Sequence, residues 1–502
     1  VDDDAPGRAG ARDPHRGARD RVRRRARRLD LHQAEPEEGT ALSARLRIPG
    51  AATHRKADRH AASRALLTAV AGIHLLAAAP GSARELWRAG DAWLDASGTL
   101  REIAVVTRGT PIDDFVAGLG PACVDFPNCP AFAAVGETRV AQSLTRLRLR
   151  ADARANPHWS AHLVVDNELL LGDLDTFESQ LSREISPRTL VDAEVTTEDD
   201  HARYTLALYR GNVAFESRHF EAVVGRQRIP WGVGRLWNPI DRFNAIPPLA
   251  IQPDQSPGID AIDARVLFTG FTHLEAVFAP GRSAEEHAYA ARLQGVLANV
   301  DFGLVGGVFD QAPMVGLDLA ANVGDAAART EVVYTRPEDR YWPIGAPAPR
   351  PIEDFWQVVV SLDGVLDWGS GLYVLVEHLY NGNALGFGSG LAGPLLPFFQ
   401  QTAFPPFVDT VSPTRFGGSR VVTRSSQLTG AQVGYDVRAE WRLDLLVIYD
   451  WDGESAVFFP ALSWMPRDWV DVTLGVQTTV GPHLSEYGNV PTTGFLLADV
   501  HF

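Results

Sequence analysis

Three arginines recur at every second position of one short stretch: Arg146, Arg148 and Arg150, separated by Leu147 and Leu149. In an extended chain that spacing puts the three guanidiniums on one face and both leucines on the other. The following stretch offers His162, Asp166 and Glu168 in one phase against Leu163, Val165 and Leu169 in the other. Fixed charges on adjacent strands can bias which ions pass along a wet wall, or they can lattice the wall together as ion pairs. Spacing alone leaves both roles open. Further along, Arg226 and Arg228 share a face. Asp241 or Asp260 can pair with Arg226, Arg228 or Arg235 to pin a loop that Asn238-Pro239 opens with a turn.

Other chemistry is excluded more easily than included. The chain's one lysine is Lys56, so a lysine-dependent phosphate loop or a Schiff-base enzyme has no residue to use beyond it. No H-E-x-x-H, G-x-S-x-G or C-x-x-C spacing occurs. Asp450–Ser455 (DWDGES) lacks the remaining ligand positions of a calcium loop and reads as a polar hairpin tip. Cys123 and Cys129, in PACVDFPNCP, suit a small disulfide staple in an exported chain; a metal pair would need further ligands nearby. No metal site, cofactor or catalytic group is expected.

Of 502 residues, 22% are charged and 45% hydrophobic, with 47 Lys+Arg against 62 Asp+Glu. That acidic balance argues against nucleic acid as a partner. The charge is unevenly spread. Residues 1–54 are Arg-rich and aperiodic and read as a disordered extension or a start codon called too early. Residues 55–83 read as a signal peptide: Arg55, Lys56, Arg59 and Arg64, then an apolar run from Ala65 to Ala79, then Gly81-Ser82-Ala83 as a cleavage site. No later run reaches eighteen apolar residues, which excludes a transmembrane helix and leaves spanning strands open.

The elements that position these side chains are strands. From residue 95 onward, segments of about ten residues alternate in hydrophobicity. The last, Thr492–Phe502, sets Leu496, Ala498, Val500 and Phe502 against Thr493, Asp499 and His501. Eighteen strands are predicted, near 98–108, 139–151, 158–171, 203–215, 218–229, 260–269, 272–279, 287–297, 300–310, 314–323, 327–336, 354–363, 371–380, 427–438, 439–450, 455–464, 468–480 and 492–502; sixteen is the alternative. The phase of 220–229 and 372–380 stays unassigned, because both faces are apolar. Parity sorts the connections by end. One end collects only short ones, while the other collects 109–138, 172–202, 230–259, 337–353 and 381–426. An all-β, antiparallel transmembrane barrel over residues 84–502, with short periplasmic turns and long extracellular loops, accounts for that sorting. Closure also removes strand edges, which hydrocarbon cannot satisfy. Trp159, Trp231, Trp237, Trp342, Trp356, Trp441, Trp451, Trp464 and Trp469 fall mostly at strand ends, where a bilayer interface would lie.

Val224–Asn244 reads VGRQRIPWGVGRLWNPIDRFN, followed after a Pro-rich loop by GIDAIDARVLF. It resembles the G-R-Q-x-I-x-W-G…N-P-x-D segment of a group of porin-like outer-membrane proteins of Gram-negative bacteria. The motif covers about 45 residues, and the resemblance carries over no catalytic residue. It implies a barrel in the outer membrane, in contact with its lipid. The expected function is passive diffusion of small hydrophilic or charged solutes. Arg146, Arg148, Arg150, His162, Asp166, Glu168, Arg226 and Arg228 are the pore-lining candidates, and Arg235, Asn238, Asp241 and Asp260 the loop-pinning ones. The strand ending at Phe502 resembles the closing strand that barrel-assembly machinery reads. The rivals are a structural or adhesive barrel plugged by the 381–426 and 230–259 loops, and an outer-membrane hydrolase with a Ser, a His and a carboxylate converging on one strand edge.

Overall fold

The computed structural model describes residues 84–108, 139–172, 189–191, 193–199, 201–244, 246–252, 258–282, 284–309, 311–336, 341–342, 350–351, 353–384, 421, 423–482, 485–488 and 490–502. The Arg-rich stretch 1–54, the expected signal peptide at 55–83, both cysteines and most of the 381–426 loop fall outside those residues.

The strands run in chain order as β1 (Arg84–Ala89), β2 (Ala92–Arg108), β3 (Arg139–Asn156), β4 (Trp159–Gly172), β5 (Glu194–Glu198), β6 (Ala202–Glu216), β7 (Phe220–Gln227) and β8 (Ile259–Leu267). They continue as β9 (His273–Ala279), β10 (Ala288–Leu297), β11 (Val300–Phe309), β12 (Ala312–Val323), β13 (Ala326–Thr335), β14 (Tyr341–Trp342) and β15 (Arg350–Pro351). The last seven are β16 (Phe355–Leu366), β17 (Leu372–Asn381), β18 (Gln427–Arg438), β19 (Trp441–Asp450), β20 (Ser455–Arg467), β21 (Val470–Val480) and β22 (Thr492–His501).

Apart from the small β14–β15 ladder, all of them belong to one antiparallel sheet of twenty strands. Round the wall each strand pairs with the following one, β4 passing to β6 and β13 to β16, and β22 returns to β2 from Thr99↔His501 to Arg108↔Thr492. The sheet is therefore closed. Two of the twenty are additions to the wall: β1 pairs only with β2 and β5 only with β6. Eighteen strands make the circuit, as the hydrophobic rhythm predicts.

The seam closes on the terminal residue. Phe502 N donates to Gly98 O at 2.9 Å, and Gly98 N donates to Phe502 O at 2.7 Å. The Phe502 ring lies where a side chain at residue 98 would stand, so any larger residue there would displace it. Below that point β1 takes over the edge of β2, from Arg84↔Ala96 to Ala89↔Ala92.

The two faces of the wall are opposite in character. Val106, Leu163, Val213, Ile262, Phe278, Leu304, Val315, Val360, Val376, Leu445, Leu474 and Leu496 point outward and are exposed. Arg101, Arg146, Asp166, Glu168, Asp263, Glu275, Arg292, Asp318, Glu331 and Glu377 point inward and are buried. A water-soluble sheet protein would reverse this order. Trp159, Trp356, Trp451, Trp464 and Trp469 are exposed at or beside strand ends, and Trp441 stacks on Trp464 with ring centroids 5.3 Å apart.

The two tryptophans of the resemblance segment depart from the interfacial expectation. Trp231 and Trp237 are 2% and 3% exposed, inside apolar clusters with inward residues of the wall. Their loop folds into the barrel instead of ending a strand at the bilayer.

Candidate functional site

The inward face carries a belt of charge that the strand register assembles. On the β2–β4 side, Arg101, Arg146 and Glu168 are successive register partners, and Asp499 on β22 faces Arg101. Arg101 grips Asp499 with two bonds of 2.7 Å, Arg146 donates to Glu168 at 2.6 Å, and Arg148 grips Asp166 at 2.6 and 2.7 Å. Arg148 also lies 3.6 Å from the centroid of the Tyr209 ring, with Arg210 4.3 Å from the same centroid.

Next round the wall, Glu221, Arg265, Glu275 and Arg292 alternate in sign across four adjacent strands. Arg265 lies 3.0 Å from Glu275 and 3.1 Å from Asp263. Arg292 reaches across β11 to Asp318 at 2.9 Å. It can do so because the intervening position is Gly303, where any Cβ would collide with both side chains. Arg329–Asp363 and Arg442–Asp444 continue the belt.

Of the pore-lining candidates, Arg146, Arg148, Asp166 and Glu168 meet as pairs in this belt. Arg150 shares their phase and is exposed nearer the short-turn end. His162 bonds Asp152 through Nδ1. Arg226 is placed differently from its expected pore-wall position. Its phase on β7 is that of exposed Val224, so it faces outward, opposite to Glu221. There it bonds Asp260 at 3.0 Å, Leu208 O and Val191 O, while the Leu190 and Val191 amides donate to Asp260. The reason lies in the neighbouring strands. β7 covers only Gly211–Glu216 of β6, and β5 covers Arg203–Ala207 on the same side. Arg226 and Asp260 fasten that patch to the wall. Arg228, just past the strand, is exposed.

The loop after β7 is the other half of the site. It enters the barrel at residue 228 and packs Ile229, Trp231, Ile240 and Phe243 against inward residues of β8 to β13. Leu236 and Trp237 pack against β16 to β20. Its backbone closes around two wall carboxylates. Glu331 accepts from Val233 N, Gly234 N and Ile240 N at 2.6, 2.7 and 3.1 Å. Glu377 accepts from Arg235 N, Leu236 N and Trp237 N at 2.7, 2.8 and 2.7 Å. Successive amides folded around an anion make a backbone nest. Gly232, at φ 87°, and Gly234 leave room for it, since a Cβ on either would overlap Asn238 or the Trp237 carbonyl.

The loop-pinning candidates act inside this frame. Asn238 Nδ2 donates to Trp231 O at 2.7 Å, and its oxygen accepts from Asp241 N. Asp241 caps the turn by accepting from Phe243 N at 3.1 Å and Asn244 N at 2.7 Å. Burial raises the Asp241 carboxyl to about 7, with its two amide bonds and the charges of Arg228 and Arg292 pulling the other way. The Arg235 side chain approaches Asp363 at 3.9 Å. Farther along, Leu249 O accepts from Gln477, and Gln252 reaches Arg146 and Arg101 on the opposite wall.

Glu331 and Glu377 escape the sequence reading, although a signal exists. Each is a lone carboxylate inside an apolar run, RTEVVYT and VLVEHLY. A buried charge there demands dedicated donors.

At the long-loop end another carboxylate ties other loops together. Glu486 accepts from Arg424 N at 2.6 Å and Ser425 N at 3.0 Å, and burial raises it to about 7. Asp450, in the hairpin tip that resembles a calcium loop, accepts from Ser425, Ser455 and the Glu486 amide. Among the described residues no group of His, Cys, Asp and Glu is arranged to hold a metal. Nor do a serine, a histidine and a carboxylate join in one hydrogen-bonded chain there. The nearest arrangement is Thr99–His501–Asp471, at 3.4 and 2.9 Å.

No protein-family model matches the chain, and no curated protein matches it. Its fold is similar to solved structures at low identity. Pseudomonas aeruginosa OpdK, solved with vanillate, is 11% identical over 82% of this chain and 98% of that chain, with a TM-score of 0.48. Acinetobacter baumannii OccAB1 is 10% identical over 84% and 99%, with a TM-score of 0.47. A BenF-like porin from Pseudomonas fluorescens Pf-5 is 11% identical over 82% and 98%, with a TM-score of 0.47.

Proposed function

We propose that this protein is a diffusion channel of the Gram-negative outer membrane that passes small hydrophilic solutes through its lumen. One observation carries the reading. The closed wall turns large exposed apolar side chains outward on strand after strand and keeps its charged groups within. Such a surface is stable only in hydrocarbon, and such an interior is suited to water and ions.

Each part then has a task. The closed ladder gives each of the eighteen circuit strands a partner on both sides. The belt of paired arginines and carboxylates, from Arg101–Asp499 round to Arg442–Asp444, sets the electrostatic potential along the wet wall. Pairing keeps that potential moderate, so that ions can enter and also leave. The 228–258 loop narrows the lumen by padding much of the wall from within. Export by a signal peptide at 55–83, and insertion guided by the strand ending at Phe502, complete the reading. Outer-membrane lipid is the contact of the apolar face.

A barrel plugged by its own loops is the second reading, favoured by the depth of the apolar packing under Trp231, Leu236 and Trp237. Purified, detergent-refolded protein in a planar lipid bilayer separates the two. Discrete conductance steps with a definite ion preference are expected. Insertion without conductance would overturn the channel in favour of the plug.

A further inference from the structure

The outer wall is not apolar throughout. On β2 the positions that turn outward are Leu100, Glu102, Ala104 and Val106, so a carboxylate stands between the Phe502 ring at Gly98 and Arg108 at the far end of the strand. Ser143 Oγ and Thr145 Oγ1, on the outward face of β3, each donate to one of its oxygens. The polar patch continues on β4 and β6, where Tyr204 Oη donates to Asn167 Oδ1 at 3.1 Å. Exposed Val106, Leu149, Leu171, Leu206 and Leu496 surround these five side chains.

Hydrocarbon has nothing to offer such groups. An ionised carboxylate presents about four lone-pair sites, of which the two hydroxyls fill two. Among the described residues no cation reaches Glu102, and the Asn167 side-chain nitrogen has no acceptor. The donor that Glu102 lacks and the acceptor that Asn167 lacks lie on opposite sides of β3. Glu102 faces Thr145 in the register and Thr145 faces Leu169, so Asn167 is two residues off that line. Strands tilted by about 35–45° and about 4.8 Å apart shift the horizontal by about two residues over two strands. The aromatic girdle gives the direction of the shift. It lies at Gly98 on β2, whose register line runs through Leu149 to Val165, yet on β4 it lies lower, at Trp159. Glu102 and Asn167 therefore stand at closely similar heights on either side of β3.

We propose that this patch is the contact between two copies of the chain, related by a two-fold axis that runs parallel to the barrel and passes in front of β3, with Glu102 of each copy accepting from the Asn167 amide of the other. A two-fold axis makes the contact self-complementary, one donor and one acceptor from each side. Two convex walls touch only near their line of approach, which confines the contact to β3 and the strands beside it. Ala104 and Ala141, on β2 and β3, leave that approach free of bulk. The inference rests on the outer wall facing lipid, and not on solute passing through the lumen.

The test is sedimentation equilibrium of refolded protein in density-matched detergent, with disulfide cross-linking in liposomes as the second measurement. Wild type is expected to dimerise reversibly. Glu102→Leu and Asn167→Leu each remove both symmetric contacts and are expected to raise the dimer dissociation constant about a hundredfold. Both make the wall more apolar, so the barrel itself is not put at risk. Glu102→Gln keeps an acceptor and should lose less. For cross-linking, Leu147→Cys lies beside the axis and Leu317→Cys, on the outward face of β12, is the control, both with Cys123 and Cys129 replaced by serine. Oxidation should join two copies through Leu147→Cys alone. A monomeric wild type, an assembly of three or more copies, undiminished association in the leucine variants, or equal linkage from both sites would overturn the contact. So would capture of a different protein by Leu147→Cys in cell envelopes. Bilayer recordings fail separately: a silent barrel that still dimerises sinks the channel and leaves the contact standing.

Discussion

Replacing Glu377 tests what holds the inward loop. Its carboxylate is fully buried and accepts three backbone N–H groups at 2.7–2.8 Å, so Glu377→Ala leaves three buried donors facing a small void. Hydrogen bonds to a charged group contribute about 1.5–3 kcal/mol each net, and the three are not additive because one side chain makes them all. Removing a buried carboxylate also relieves its desolvation cost of several kcal/mol. The difference is a loss of about 3 kcal/mol from the docked state of the loop, which raises its undocked population more than a hundredfold. Glu331 is untouched, so the first arm of the loop stays docked. The assay is limited proteolysis of the refolded barrel, read at sites in 233–244, with electrophoretic mobility of the unboiled protein as the check that the barrel itself is closed. Cleavage rate should rise by about two orders of magnitude in Glu377→Ala and by less in Glu377→Gln, which keeps one acceptor oxygen. A closed Glu377→Ala barrel with wild-type protection of the loop would refute the claim that this carboxylate anchors it.

Three further outcomes follow from the same geometry. Gly232→Ala places a side chain at φ 87° and into Asn238, so it should loosen the loop by about 1–3 kcal/mol in the same proteolysis assay, with Gly90→Ala, in open space, as the control for a positive-φ glycine. Asp241 is raised to about 7 from an ordinary 3.8, so its contribution to loop docking is complete below pH 3.8 and is lost as pH rises through 7; the bound on the change is roughly 4 kcal/mol. Asp241→Asn keeps the acceptor for Phe243 and Asn244, and should remove from the proteolysis rates measured from pH 4 to 8 the part of the slope that Asp241 supplies. Gly98→Val collides with the Phe502 ring and should slow or prevent closure of the β2–β22 seam, seen as loss of the heat-modifiable band on electrophoresis.

The wall was legible in the sequence wherever one face of a strand meets lipid and the other meets water. β22 alternates cleanly, and its predicted faces are those found, with Leu496 exposed outward and Asp499 buried inward. The pairs formed by Arg146, Arg148, Asp166 and Glu168 followed from the same alternation once the strands were neighbours. Legibility failed where the loop presses on the wall. β17 turns Leu375 and Leu379 inward because Leu236 and Trp237 cover them, so both of its faces are apolar and period-two reasoning has nothing to read. The same packing took Trp231 and Trp237 from the expected interface into the lumen. Arg226 was misassigned for a related reason. Its own strand ends early and β5 takes its place along β6, a pairing that the pattern of β7 alone does not encode. Parity sorted the short and long connections to opposite ends of the barrel, as the strand order has them, yet it cannot tell which long connection bends inward.

The shortness of β7 has a consequence for how this architecture can change. By leaving the wall after eight residues, the chain gains its internal strap and opens a gap along β6 that β5 fills within the sheet, with Arg226 and Asp260 as the rivet. Strap and repair are thus two sides of one bargain. A descendant that shed the strap would have to lengthen β7 and discard β5 in the same stroke, whereas one that altered only the residues along the strap could retune the passage and leave the outer shell undisturbed.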